Sequence, residues 1–289
     1  MVAFSRILPI AATAYGFQAA AGLVFVPLGT EKYFDFCGSL GFLSTAFVSL
    51  YYPFLKDRYW HGVSAVNLPP LSALASRQIL LNAALGAWAV RLGSFLFWRA
   101  LKSGGDTRFD DIKKNPSRFA FSWIAQATWV FAVGLPVYLV NTVPAHAVPA
   151  MRIRDYASLA LFAGSWAFEL MADYQKTKWR QAKNNKQHGE KFINSGLWSL
   201  SRHPNYVGEV GLWTGIWALS VPALSTPYVP QYSWLVAGLS PLLTWALTRY
   251  VSGVPPLEAQ NDKKFSGDPK YEYYKKNTPV FWPLGSGFS

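Results

Sequence analysis

The chain has 289 residues, of which 51% are hydrophobic and only 15% charged, where an average globular domain carries about 25% charged residues. Twenty-seven Lys and Arg against 15 Asp and Glu leave a formal net charge of +12, yet the basic residues sit in short loops between long apolar runs, which favours anionic lipid or a phosphate-bearing cofactor over nucleic acid. The single cysteine, Cys37, excludes an internal disulfide and a cysteine-based zinc site.

Seven apolar runs follow one another: Ile7–Leu28, Gly38–Leu55, Leu71–Trp98, Phe119–Val140, Tyr156–Ala172, Val207–Leu224 and Tyr232–Tyr250. A membrane-spanning helix needs about 17–25 residues, so most qualify, with the fifth and sixth near the lower limit. Phe119–Val140 carries no charge on any face, and Ile7–Leu28 has only Gln18 as a strongly polar side chain. A water-soluble bundle would instead show polar stripes at helical spacing. The first run lacks a small-x-small cleavage site and reads as a retained helix rather than a signal peptide. The fold class expected is all-α: a polytopic membrane bundle of about seven transmembrane helices. The loops are too short for separate domains, so residues 1–289 read as one integral-membrane domain.

Lys and Arg divide unevenly between the two sides of such a bundle. Twenty of the 27 fall on the side shared with the C-terminus and five on the other. The remaining two, Arg77 and Arg91, lie inside the third run. By the positive-inside rule the N-terminus is expected to be lumenal and the C-terminus cytosolic.

Charges within an apolar run face a partner or a wet cavity, or else snorkel. Arg77 is expected to snorkel near one end. Arg91 lies closer to the basic loop and reads equally as a snorkelling residue or one reaching into a cavity. Further along, Glu169 and Asp173 are four apart and share a helix face, with Lys176, Lys178 and Arg180 next. They read as a helix end paired with its own basic loop, or as a rim that grips hydroxyls and phosphates. In Ser195–Glu209, Pro204 biases His203 to an extended backbone, and Asn205 is expected to cap a helix starting near Tyr206. Free N–H groups there favour an anion, with Arg202 and His203 adding positive potential and Glu209 one turn inside. Glu258, with Lys263 and Lys264, is expected to close over the basic loop. No G-x-G-x-x-G, P-loop, H-E-x-x-H or G-x-S-x-G occurs, and His61, His146, His188 and His203 are too scattered to suggest a metal.

The string Ser195–Glu209 resembles the signature of the steroid 5α-reductase C-terminal domain family, most closely its microbial and fungal branch. Similar to that branch are Arg91-Leu-Gly-x-Phe-Leu-x-x-Arg99, Asp106-x-Arg-Phe-Asp110 with Gln126, Glu169-x-x-x-Asp173-x-Gln-Lys176, Ser252-Gly-Val-Pro-Pro-Leu-Glu258 and Tyr271-x-x-Tyr274. The likeness runs from about Arg91 to Pro283. It implies a cofactor-binding core over 91–285, with 1–90 as N-terminal helices lining a substrate cavity. It further implies NADPH-dependent reduction of an enone-type carbon–carbon double bond in a steroid or other lipid, in the endoplasmic reticulum or a mitochondrial membrane. Cofactor binding is expected at Glu169, Asp173, Arg180, Lys191, Arg202, His203, Asn205 and Glu209. Arg91 and Tyr206 are expected to be catalytic, and Tyr51, Tyr52 and Gln126 to meet substrate. The steroid enzymes carry a Glu on the second helix and a Tyr on the third. Here Gly38–Leu55 holds no acid, only Tyr51 and Tyr52, and Arg91 falls near the Tyr position. R-H-P-x-Y is also similar to isoprenylcysteine methyltransferases, which use S-adenosylmethionine and carry paired acids where this chain has Leu257-Glu258. A non-catalytic subunit of a membrane assembly is the third reading.

Overall fold

The computed structural model describes residues 2–63, 66–103 and 109–283. Among these there is no strand, and the elements in order are α1 (Val2–Phe25), α2 (Phe34–Tyr59), α3 (Ser76–Ser103), α4 (Pro116–Asn141), α5 (Ile153–Asn184), α6 (Pro204–Leu224), α7 (Ser233–Ala237), α8 (Leu239–Ala246), α9 (Val254–Phe265) and α10 (Pro269–Asn277). Five of them, α1, α2, α3, α4 and α6, are long and apolar enough to cross a membrane. The protein is a polytopic membrane helix bundle.

The other two expected spans differ in form. The fifth is α5, which does not stop near Ala172 but continues to Asn184. Twelve further residues at 1.5 Å each carry it about 18 Å beyond the apolar run. Asp173, Lys176 and Arg180 are therefore helical, and with Glu169 they form a stripe at spacings of four, three and four. The seventh is interrupted at Gly238 between α7 and α8 and ends in a π turn over Leu247–Val251. Pro241 has no N–H for the carbonyl of Ala237, and its ring crowds that carbonyl, so the break falls where helix rules put it.

Helix starts follow a recurring device, a capping residue followed by proline at the first helical position. Asn115 accepts from the backbone N–H of Ser117 and Arg118 at 3.1 and 3.2 Å ahead of Pro116. Asp268 accepts from Lys270 N–H at 2.9 Å ahead of Pro269. The same device corrects the expectation for Asn205. The sixth helix starts at Pro204, so His203 takes the cap position and Asn205 lies within the first turn. Ser201 Oγ accepts from the His203 N–H at 3.1 Å.

The described chain divides into two compact units: 1–155 with 216–240, and 156–215 with 241–289. In the first, α4 is the central helix; from Val133 to Asn141 every residue is buried, which is why this run carries no charge. Polar cross-links tie its neighbours. Gln126 Nε2 donates to Gln18 Oε1 and to the Phe34 carbonyl, both at 2.9 Å, and Gln18 Nε2 donates to the Cys37 carbonyl at 2.9 Å. Elsewhere Asn82 and Asn141 exchange amide hydrogen bonds of 2.7 and 3.0 Å, while Asn141 also donates to Ser49 Oγ at 2.8 Å.

Arg77 does not snorkel. It is 1% exposed, and its guanidinium grips Asp155 with two bonds of 2.9 and 2.8 Å while donating to the Leu219 carbonyl at 2.6 Å. Asp155 stands just before the fifth apolar run, where a single sequence offers no sign that it pairs with a residue 78 positions earlier.

The second unit is built on the packing of α5 against the first half of α6. Gly208, Gly211 and Gly215 recur at helical spacing on one face of α6. A Cβ on Gly208 would lie 2.8 Å from the Glu169 backbone nitrogen and the Ser165 carbonyl, and one on Gly215 would lie 2.6 Å from the Phe162 nitrogen. Only residues without a side chain allow backbones this close, the small-residue device of membrane helix pairs. Val210, Val254, Val280 and Phe281 form the adjoining apolar cluster, with Tyr206, Val207 and Trp245 packed on it.

Candidate functional site: a carboxylate clamp beside the sixth helix

Arg202, His203 and Glu258 form a cluster of shielded titratable side chains in the second unit. Arg202 Nη2 lies 3.0 Å from Glu258 Oε2, and His203 Nε2 lies 2.8 Å from Glu258 Oε1. Since a carboxylate only accepts, Nε2 carries the hydrogen. Arg202 also donates through Nη1 to the carbonyls of Lys275 at 2.6 Å and Thr278 at 3.3 Å, and its backbone N–H donates to the Pro279 carbonyl at 2.9 Å. Arg202 thus fastens the tail against the start of α6, its guanidinium holding Glu258, Lys275 and Thr278 and its backbone N–H holding Pro279. Tyr274 adds a bond from its hydroxyl to the Trp198 carbonyl at 2.6 Å.

His203 is 3% exposed, and its ring lies parallel to that of Tyr206, with centroids 5.7 Å apart and a 10° interplanar angle. Its Nδ1 is buried with no hydrogen-bond partner among the described residues. Burial disfavours the imidazolium and holds the His203 pKa below the usual histidine value, against the pull of Glu258. Burial alone would raise the Glu258 carboxyl, but the bond from His203 and the charge of Arg202 outweigh it and leave the group below the usual carboxylate range. A carboxylate holding one imidazole nitrogen while the other stays uncommitted is an arrangement suited to proton handling.

Three of the strings singled out in the sequence meet in this unit. Glu169 is buried where Gly208 crosses α5. Gln175 Oε1 accepts from the Leu197 N–H at 2.9 Å, Trp198 Nε1 donates to the Ala172 carbonyl at 3.1 Å, and Lys176 Nζ sits 4.4 Å from the Trp198 ring centroid. Glu258 then links the third string to the second. Gly196, with φ of +62°, permits the turn at the start of the second string. Glu258 reaches the basic segment as expected, at its end: its partners are Arg202 and His203, both shielded with it from water.

The expected cofactor residues divide by what they already hold. Arg202 is engaged by the tail and by Glu258. Glu209 accepts from Trp213 Nε1 at 2.9 Å, one turn along α6. Lys191 pairs with Asp268 at 2.7 Å yet stays largely exposed. Asp173 is half-buried and Arg180 exposed, both on the α5 stripe. Asn205 is half-buried, and its side chain makes no hydrogen bond among the described residues, so its amide is available.

The remaining expected residues lie in the first unit. Arg91 is half-buried, with its guanidinium carbon 5.3 Å from the Phe95 ring centroid. Tyr51 packs on Phe47 at 5.1 Å, and Tyr52 is half-buried. Gln126 engages both amide hydrogens inside the bundle. Of the string Asp106-x-Arg-Phe-Asp110, residues 106–108 lie outside the described residues, while Phe109 packs with Cys37, Phe119 and Trp123. Sequence reasoning missed the Asp155 partner of Arg77 and the clamp role of Arg202. Only the adjacency of Arg202 to His203 and a lone acid in a proline-rich string hinted at the latter.

Comparison with curated proteins and with solved structures gives no match. A family model described as a protein of unknown function, DUF1295, matches residues 28–278, and on that span the chain belongs to the DUF1295 family.

Proposed function

We propose that the protein reduces a carbon–carbon double bond of an enone-type lipid with NADPH. The observation that carries this reading is the meeting, in the second unit, of the strings that resemble the steroid 5α-reductase family: Glu169–Lys176, Ser195–Glu209 and Ser252–Glu258 are tied by the Gln175, Trp198 and Glu258 contacts. The residues present fit the cofactor in part. Arg180 and Lys191 supply exposed cations for phosphate, and Asp173 and the uncommitted amide of Asn205 suit ribose or amide groups. Arg202 orients the tail. When bound, NADPH supplies the hydride. Tyr206 holds a proton at its Oη for the α-carbon, and its ring is fixed by the stack on His203. The basic side of the bundle faces the cytosol in this reading, and the membrane is that of the endoplasmic reticulum.

NADPH at a hundred times its Kd raises stability by about 2.7 kcal/mol, read as a higher thermal midpoint in detergent. Asn205→Ala and Arg180→Ala each lower NADPH affinity about tenfold, matching the ~1.5 kcal/mol of a charge-assisted hydrogen bond. Unchanged affinity in both removes the assigned site. A second reading, an S-adenosylmethionine-dependent carboxyl methyltransferase, is favoured by one observation: the single acid of the Leu257-Glu258 position is held by Arg202 and His203 of the R-H-P string. Protection by S-adenosylmethionine and not by NADPH selects it. Protection by neither, with purification only alongside partners, selects a structural subunit.

A further inference from the structure

The second unit carries a cavity of about 780 Å³ between the end of α5, the segment 188–199 and α10, within the ~300–1,000 Å³ of small-molecule pockets. None of the residues assigned above to the cofactor lines it. Its lining decides what it can hold. Pro269 is the one aliphatic side chain in its lining, which leaves little surface for an acyl chain. Its only charged side chains besides histidine are Glu190 and Lys270, which face each other at 3.7 Å. Their formal charges cancel, which excludes a site built for phosphate.

The aromatic groups narrow the class further. Trp179 and His188 pack on each other, with centroids 5.1 Å apart, and Lys183 Nζ sits 4.8 Å from the Trp179 ring centroid. The Trp179–His188 pair is tilted by 38° and in mutual contact, so it leaves no slot between its rings for a nucleobase. Tyr273, 71% exposed at the rim, instead presents a single open aromatic face. The Tyr274 hydroxyl donates to the Trp198 carbonyl and the Ser199 hydroxyl to the Gly196 carbonyl, so neither is available to donate. Asn194 and Ser195 make no side-chain hydrogen bond among the described residues. The 3.7 Å between Glu190 and Lys270 exceeds a hydrogen bond, and one of a pair of neighbouring hydroxyls satisfies each side.

We propose that this cavity binds a neutral, hydroxyl-rich ring, a sugar or a cyclitol. Its apolar face rests on Tyr273, and its hydroxyls meet Asn194, Ser195, Glu190 and Lys270. Such a ring comes either as a soluble molecule or as the head group of a membrane lipid. The inference does not depend on the NADPH reading, and loss of NADPH binding leaves it standing.

The test uses the full chain in phosphatidylcholine nanodiscs and saturation-transfer NMR with glucose, myo-inositol and adenosine as separate probes. Saturation of the glucose or inositol ring protons is expected. Tyr273→Ala and the double variant Asn194→Ala/Ser195→Ala reduce it at least fivefold with an unchanged thermal midpoint. Should the double variant unfold, the exposed Tyr273→Ala decides alone. If phosphatidylinositol in the nanodisc abolishes the signal from free inositol, the ring is a lipid head group; if the signal persists, it is soluble. Absence of transfer to both rings, stronger transfer to adenosine, or transfer insensitive to Tyr273→Ala overturns the proposal.

Discussion

A charged residue in an apolar run has few places to go, and Arg77 shows how its surroundings settle the matter. An isolated guanidinium inside the bundle would cost at least ~2.5–3.5 kcal/mol on insertion scales. The bidentate Asp155 and the Leu219 carbonyl offset that cost by meeting the donors at both ends of the fork. The bond from Arg77 holds the Asp155 carboxyl below its ordinary range, against desolvation. A depressed carboxylate contributes stability above its unfolded pKa of about 3.9 and loses it as pH falls through the folded value, so the pair persists throughout the neutral range. Asp155→Asn leaves the buried cation uncompensated and is expected to destabilise by about 3–5 kcal/mol, whereas Arg77→Met with Asp155→Leu restores most of that loss. Chemical unfolding in detergent measures both, and equal losses would remove the pair from this role. Gln18 is the same lesson in neutral form. It was visible as the lone strongly polar residue of its run, but its partner Gln126 lies 108 positions away.

Between elements, the close crossing of α5 and α6 depends on an absent side chain. Gly208→Ala places a methyl 2.8 Å from the backbone of α5, where neither helix can yield locally. Overpacking of this kind costs about 1–3 kcal/mol, and a thermal midpoint unchanged by the substitution would show that the helices separate easily. The clamp at the start of α6 has its own pH signature. The folded His203 pKa is lowered from about 6.5, so the folded state binds fewer protons than the unfolded chain below that pH. Stability from neutral His203 is therefore present above about pH 6.5 and declines as pH falls toward the folded value. His203→Gln is expected to flatten the fall in thermal midpoint between pH 7.5 and pH 5.5, while the Glu258 contribution is lost only at lower pH. A profile of unchanged slope in His203→Gln would assign the dependence elsewhere.

For the whole molecule, the uneven distribution of Lys and Arg makes a claim about the two sides of the bilayer. Cys37 is buried, so it leaves little background for thiol labelling. A cysteine at Lys186, in the turn after α5, is expected to react with a membrane-impermeant reagent from the cytosolic side only, and one at His146 from the opposite side only. Labelling of both from one side would discard the topology. Several basic residues expected in a loop, from Lys176 to Lys183, instead continue α5. There Lys176 and Lys183 lie over the rings of Trp198 and Trp179, a packing role that a charge count does not reveal.

The membrane class, the long helices and the strings that resemble a reductase family were legible in the amino-acid order alone, because apolar run length and local helix signals act over a few turns. The same reach explains why Pro241 breaks the last run and Pro204 starts α6. Tertiary structure alone decided that Arg77 grips Asp155, that Gln126 is engaged by Gln18, and that Arg202 and His203 close on Glu258. Each of those pairings joins positions more than fifty residues apart. In a bundle where charge is scarce and desolvation is costly, the partner a buried polar group finds depends on which helices fold against each other.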